Sequence, residues 1–345
     1  MRKKLLLIIA ILLTATQGSM AMLIFVKTIT NKTITIDVDN SSVTIYSVKE
    51  LIKEKKGYSV ESQILLSNGN VLDNDKTLNF YGIGKESTIY LRIGAVLTDG
   101  EGITALSAYT GQEIYVVYTR SFTSGKPSTV CLPFAYAPKT GETFYTFTGI
   151  TKSGSEYIAD MAEYSGANLV ANTPYLFMPT GDADFSGTYA IPADLTAGTT
   201  TPDGSDWTFV GTYTEKKWET APTGIYGFSA QNVDAQGISQ GEFVKVGAYV
   251  RVKPMRCYLK YKDGSEDYAA ARAMNRAAAA DEQLPETIKV RLIGANGDVN
   301  AIGTLHTQTG EVVLDGWYTL DGTRLFGQPT RKGIYLNNGK KVVIK

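Results

Sequence analysis

His306 is the only histidine among 345 residues, and that count removes His-based triads, two-His metal sites and most zinc chemistry. Ser-His-Asp and Cys-His triads need an imidazole, and most zinc sites need several His or Cys ligands at fixed spacing. The lone imidazole falls in a polar stretch that reads as a linker. Acidic pairs remain: Asp182/Asp184 and Asp203/Asp206 are the residue types a glycosidase or a calcium site uses. Their Gly, Ser and Thr neighbours read instead as solvated turns. Tyr115, Tyr118, Trp207, Tyr213 and Trp218 suit either a sugar-stacking face or core and cross-strand pairs, the commoner use of aromatics at strand spacing. A cryptic glycoside hydrolase using Asp and Glu is the enzyme class left open. The expectation is a non-enzymatic chain with no catalytic residues, cofactor or metal.

The two cysteines, Cys131 and Cys257, sit in apolar strand-like contexts, Thr-Val-Cys-Leu and Arg-Cys-Tyr-Leu. A single disulfide in an oxidising compartment and two buried thiols both remain open. Compartment is suggested by the first residues. Met1-Arg2-Lys3-Lys4 precedes an apolar run at 5–13, and Ser19-Met20-Ala21 has the small-x-small form of a signal peptidase site. A signal peptide over 1–21, cut between Ala21 and Met22, predicts a secreted or cell-surface protein. The apolar run is too short to span a bilayer, and no later segment reads as transmembrane. Lys and Arg balance Asp and Glu at 34 each, which argues against nucleic acid as a partner. The charges are uneven along the chain: nine basic and eight acidic groups at 22–94, sixteen and twenty-four at 95–314, six and two at 315–345.

Residues 22–94 read as a compact α+β unit. Met22, Ile24 and Val26 alternate with outward residues, as do Ile34, Ile36 and Val38 after a short polar turn, which is a hairpin pattern. Thr44 is placed to cap a helix whose apolar face is Ile45, Val48 and Ile52, and Gly57 to end it. Leu65-Leu66, Leu72 and Ile89-Tyr90-Leu91 supply shorter strands, with Asn68-Gly69 as a turn. The opening Met-Leu-Ile-Phe-Val-Lys-Thr-Ile-Thr, Lys32-Thr33-Ile34-Thr35, Thr44-Ile45, Val48-Lys49 and Lys85-Glu86-Ser87-Thr88 closely resemble ubiquitin.

That resemblance implies a β-grasp fold and a recognition patch at Ile29, Leu66, Tyr90 and Arg92, where Arg92 places a charge at a position the family fills with valine. It also implies binding to ubiquitin-recognising proteins. Tagging chemistry is not implied: the family's free diglycine tail is replaced by Leu91-Arg92-Ile93-Gly94-Ala95-Val96-Leu97 running onward. Of the family's linkage lysines, Lys27, Lys32, Lys49, Lys55 and Lys85 are present.

Beyond residue 95 short apolar and aromatic runs, at 114–119, 128–134, 144–148, 175–178, 207–213, 226–228, 243–246 and 257–261, alternate with turn residues. They predict a β-sandwich domain over 95–294, with a flexible loop at 265–284, then a linker at 295–314 and a small antiparallel β unit at 315–345. Phrases at 129–134 and 171–177 look like a module of secreted Bacteroidota proteins. The Lys-rich, Gly-Ile-Tyr-containing end is similar to C-terminal domains of surface and secreted proteins of that group, some sorted by the type IX route. The fold expectation is thus multidomain: ubiquitin-like, all-β sandwich and small β unit. Two functions follow from different classes: a ubiquitin-surface mimic unable to conjugate, binding host proteins, and a surface adhesion or glycan-binding protein whose ubiquitin-like domain is a structural module.

Overall fold

A computed structural model describes residues 21–229, 239–265, 284–296 and, with short interruptions, 299–344. The chain divides into two compact units, one ending at Ala95 and the other beginning at Val96. The expected signal peptide lies outside the described residues except for Ala21. His306 also lies outside them, as does the expected loop at 265–284 apart from its two end residues.

The first unit is a mixed sheet holding one helix. Its strands are β1 (Met22–Thr28), β2 (Thr33–Val38), β3 (Gln63–Ser67), β4 (Asn70–Val71) and β5 (Thr88–Leu97), and its helix is α1 (Ile45–Lys56). β1 pairs antiparallel with β2 and parallel with β5; β3 pairs antiparallel with β5 and with β4. Side-chain alternation sets which face is buried. Ile24 and Val26 of β1, Ile34 and Ile36 of β2 and Ile89 and Leu91 of β5 point to the core, where Ile45, Val48 and Ile52 of α1 meet them.

The ends of α1 are set by its sequence. The Thr44 hydroxyl accepts a 3.2 Å bond from the Ser47 amide, and Gly57 turns left-handed (φ 77°) while donating to the Lys53 carbonyl. Lys53, Lys55 and Lys56 fill the last turn, where positive charge opposes the exposed carbonyls. Asn68 and Gly69 both take positive φ, as a two-residue type I′ hairpin turn requires, and this places Leu66 opposite Val71.

The second unit is mostly β. Its largest sheet runs Thr199–Thr200, Trp207–Thr212, Arg256–Ser265, Thr223–Phe228, Phe243–Lys245, Thr287–Ile293, Glu156–Glu163, Glu142–Ser153, Pro174–Pro179, Ser128–Cys131. Each of the apolar runs anticipated from sequence beyond residue 95 contains a strand of this unit. Val299–Ile302 pairs antiparallel with Thr287–Ile293, so the stretch expected as a linker carries a strand. Trp317–Thr319, Arg324–Leu325, Gly333–Asn337 and Lys340–Ile344 form a separate four-stranded antiparallel sheet.

Aromatic packing dominates the second core. Phe144 stacks on Phe177 with centroids 4.5 Å apart, Phe122 meets Phe177 edge-on at 4.9 Å, and Phe134 stacks on Tyr189 at 4.0 Å. A partly buried charge network ties three strands together. Arg291 Nε donates to Asp160 Oδ1 at 2.5 Å and its Nη2 to Thr151 Oγ1 at 2.9 Å, while Thr151 donates to Asp160 Oδ2 at 2.6 Å.

Candidate functional site: the open face of the first sheet

The face of the first sheet turned away from α1 assembles residues far apart in sequence. Register places Lys27 of β1 beside Tyr90 of β5, Tyr90 opposite Leu66 of β3, and Leu66 opposite Val71 of β4. One row across four strands therefore reads Lys27, Tyr90, Leu66, Val71. Arg92 stands two residues along β5, opposite Ile64, and Ile29 follows the end of β1.

The four residues expected to form the patch differ in how much they present. Ile29 is 66% exposed and Tyr90 43%, whereas Leu66 is only 8% exposed. Leu66 contributes a floor; Ile29 and Tyr90 are what a partner would touch. Arg92 is partly buried, and Nη1 donates to the Leu91 carbonyl at 3.4 Å. Its charge would have to be matched by a partner, because a guanidinium desolvated without an anion costs several kcal/mol, on the order expected for an uncompensated buried charge. Val71 is absent from the sequence-based patch, although the Asn68-Gly69 turn, which fixes the β3–β4 register, was a usable signal for it.

The lysines divide by burial. Lys49 is buried, and that burial lowers its pKa below the ordinary lysine value. Lys55 donates to the Thr35 carbonyl at 2.9 Å and pairs with Asp37 at 3.4 Å, while Lys85 is well exposed. Behind Lys49, the buried Gln63 amide donates to the Lys49 and Tyr58 carbonyls, both at 2.9 Å, bracing the end of α1 against β3.

Several candidate side chains of the second unit sit in its core, in turns or in ion pairs. Tyr118, Trp207, Tyr213 and Trp218 are buried, leaving Tyr115 alone of the five aromatics partly open. Trp207 packs between Tyr226 and Tyr261, and Trp218 against Tyr258. Asp184 accepts from the Ser186 amide at 2.8 Å, closing a turn, and Asp206 pairs with Lys262 at 2.8 Å. Among the described residues no three His, Cys, Asp or Glu side chains gather as a metal site would need. Cys131 and Cys257 are free thiols in the structure, both buried. Each sulfur hydrogen-bonds a backbone carbonyl, Cys131 that of Asn172 at 3.3 Å and Cys257 that of Val130 at 3.2 Å.

A mixed sheet wrapped on one helix, with an open apolar face centred on Tyr90, defines the first unit as ubiquitin-like. The family model described as "Ubiquitin family" matches residues 24–95. The protein "Ubiquitin-like protein NEDD8" of Dictyostelium discoideum is 39% identical over 70 residues, a match that takes in 20% of this chain and 90% of that relative. The chain belongs to the ubiquitin family.

Proposed function

We propose that this chain is an exported, non-enzymatic protein whose first unit mimics a ubiquitin surface and binds host proteins that recognise ubiquitin. The observation that carries this reading is the row Lys27, Tyr90, Leu66, Val71, in which three apolar side chains follow one cation, with the exposed Ile29 after β1, a surface that the closed core behind it does not need. Docking surfaces of this kind depend on a few aromatic and aliphatic anchors over a packed floor. Arg92 redirects the choice of partner toward one that offers a carboxylate to the guanidinium.

The same unit is not competent for conjugation on this reading. A ubiquitin-type tail must be free and flexible to be activated, and here the backbone stays in β5 through Leu97, with Ala95 and Leu97 both buried. Export rests on the charged and apolar first residues and the Ser19-Met20-Ala21 motif.

Mass spectrometry of the protein recovered outside the cell should find Met22 as the first residue and an uncut chain beyond it. Incubation of that protein with ubiquitin-activating enzyme and ATP should give no thioester adduct. Recovery of a fragment ending near residue 95, or of an adduct, would show that the first unit is released and used as a tag.

A further inference from the structure

A cavity of about 800 Å³ lies wholly within the second unit, and it is unlike the rest of that unit in charge. Its wall includes five cations, Arg120, Lys245, Arg251, Lys253 and Arg256, and no carboxylate among the described residues. Lys245 and Arg251 pair with carboxylates of their own: Glu286 at 3.8 Å, itself largely exposed, and Glu215 at 3.5 Å. Arg256 and Lys253 converge on one carboxylate. Arg256 Nη2 lies 2.6 Å from Asp99 Oδ1 and Lys253 Nζ lies 4.0 Å from Asp99 Oδ2.

Asp99 is held in place by its own backbone: its amide donates to Thr119 Oγ1 at 2.8 Å, and the Thr119 amide donates to the Leu97 carbonyl at 3.0 Å. Burial pushes the Asp99 pKa up, but the hydrogen bond and charge of Arg256, with Arg120 and Lys253 behind it, hold it below the ordinary carboxylate range. Among the described residues Arg120 has no carboxylate in contact. It donates to the Thr129 carbonyl at 2.9 Å and the Met255 carbonyl at 3.4 Å, and it lies over the Phe122 ring at 4.7 Å. A guanidinium cannot shed its proton to escape burial. Burial, and after it the like charge of Arg256, work against the Arg120 cation, while Tyr118 and Asp99 support it, and that one Asp99 carboxylate lies near three positive groups.

The remaining wall is mixed: Ser128, Thr129 and Ser229 carry hydroxyls, and Phe228, Val246 and Val252 give it apolar surface. A bare inorganic anion would answer the charge and leave that surface wet. A neutral apolar molecule would cover the surface and leave the charges unanswered. The volume is that of a small-molecule pocket, apolar with a few convergent polar groups. We propose that this cavity binds a small organic anion, its carboxylate received by Arg120, Lys253 and Arg256 and its apolar body lying against Phe228, Val246 and Val252.

Isothermal titration of the chain from Met22 onward tests this with octanoate as the probe, and with octanamide and inorganic phosphate at matched ionic strength. Octanoate should bind saturably, phosphate at least tenfold more weakly, and octanamide not at all. Arg256→Gln should weaken octanoate at least tenfold. Asp99→Asn removes the internal competitor without removing a cation, so it should bind octanoate about tenfold more tightly and be stabilised by it more than the parent. This variant keeps the test sharp if Arg256→Gln fails to fold. Absence of saturable octanoate binding in both the parent and Asp99→Asn overturns the proposal. So does octanamide or phosphate binding as tightly as octanoate.

Discussion

The two units use aromatic residues in opposite ways. Residues 22–95 contain six, Phe25, Tyr46, Tyr58, Phe80, Tyr81 and Tyr90, and none is buried; the core behind them is built from Ile, Val and Leu. In the second unit the largest fully buried side chains are all Tyr and Phe, among them Tyr136, Phe144, Phe177, Phe185 and Phe209. Apart from Tyr81, which packs against that core and accepts from the Asp73 amide, the small unit's rings are not counted among its core residues, so those on its surface are free to meet partners. A larger unit that fills its interior with rings has committed those rings, even though Tyr249 stands 76% exposed on its surface. The aromatic richness of the whole chain therefore says little about binding until each ring is assigned to one regime or the other.

Four measurements break or sharpen this contrast. The largest effect concerns the thiols of the second core. Burial pushes the Cys131 thiol from its ordinary value of 9.0 up to about 12, and Cys257 is also raised by burial. At neutral pH, labelling of Cys131 by a thiol-specific reagent should be roughly a thousandfold slower than in urea-unfolded chain, since the thiolate is the reacting form. The sign for stability follows from the raised value. The contribution is whole below about 9 and is lost as pH rises toward about 12, because only the unfolded thiol ionises in that window.

Next in size, Phe144→Ala removes a fully buried ring stacked on Phe177 and should cost about 3–5 kcal/mol in urea denaturation. Thr44→Ala removes the acceptor for the Ser47 amide and should cost ~1 kcal/mol, seen as a lower melting temperature of the first unit. Smallest, Phe80→Ala takes away a ring that is 64% exposed and should shift stability by no more than about 0.5 kcal/mol in the same denaturation assay. A Phe80→Ala loss comparable with that of Phe144→Ala would erase the distinction between the two aromatic regimes.

Legibility in the sequence followed the range of the interactions. The helix Ile45–Lys56 was readable because its cap, apolar stripe and stop all lie within fourteen residues. The β1–β2 hairpin was readable for the same reason, whereas the parallel β1–β5 pairing joins strands far apart in sequence and came only with the structure. In the second unit the apolar runs located strands, but neither pairing nor burial could be read, since partners such as Thr287–Ile293 and Glu156–Glu163 are more than a hundred residues apart. That is why a sugar face for Trp207 and Trp218 stayed open beside the commoner core reading until their neighbours were known. The patch was legible as positions and not as exposure: Leu66 and Tyr90 face each other across two strands, yet only one of them is open. The cationic cavity left no local motif, because Asp99, Arg120 and Arg256 meet only through the tertiary fold.

The central claim is that the open face of the first unit is a protein-binding surface made by Ile29 and Tyr90 over Leu66. The direct test is a titration of the chain from Met22 onward against a panel of ubiquitin-binding domains. It is followed by heteronuclear NMR and repeated with Tyr90→Ala and Ile29→Ala, exposed positions whose loss leaves the core intact. The account predicts saturable binding to at least one domain, with shifts centred on Ile29, Tyr90 and Arg92 and a Kd raised about tenfold, or ~1.4 kcal/mol, by either substitution. Binding to no member of the panel, or binding that neither substitution alters, would contradict it.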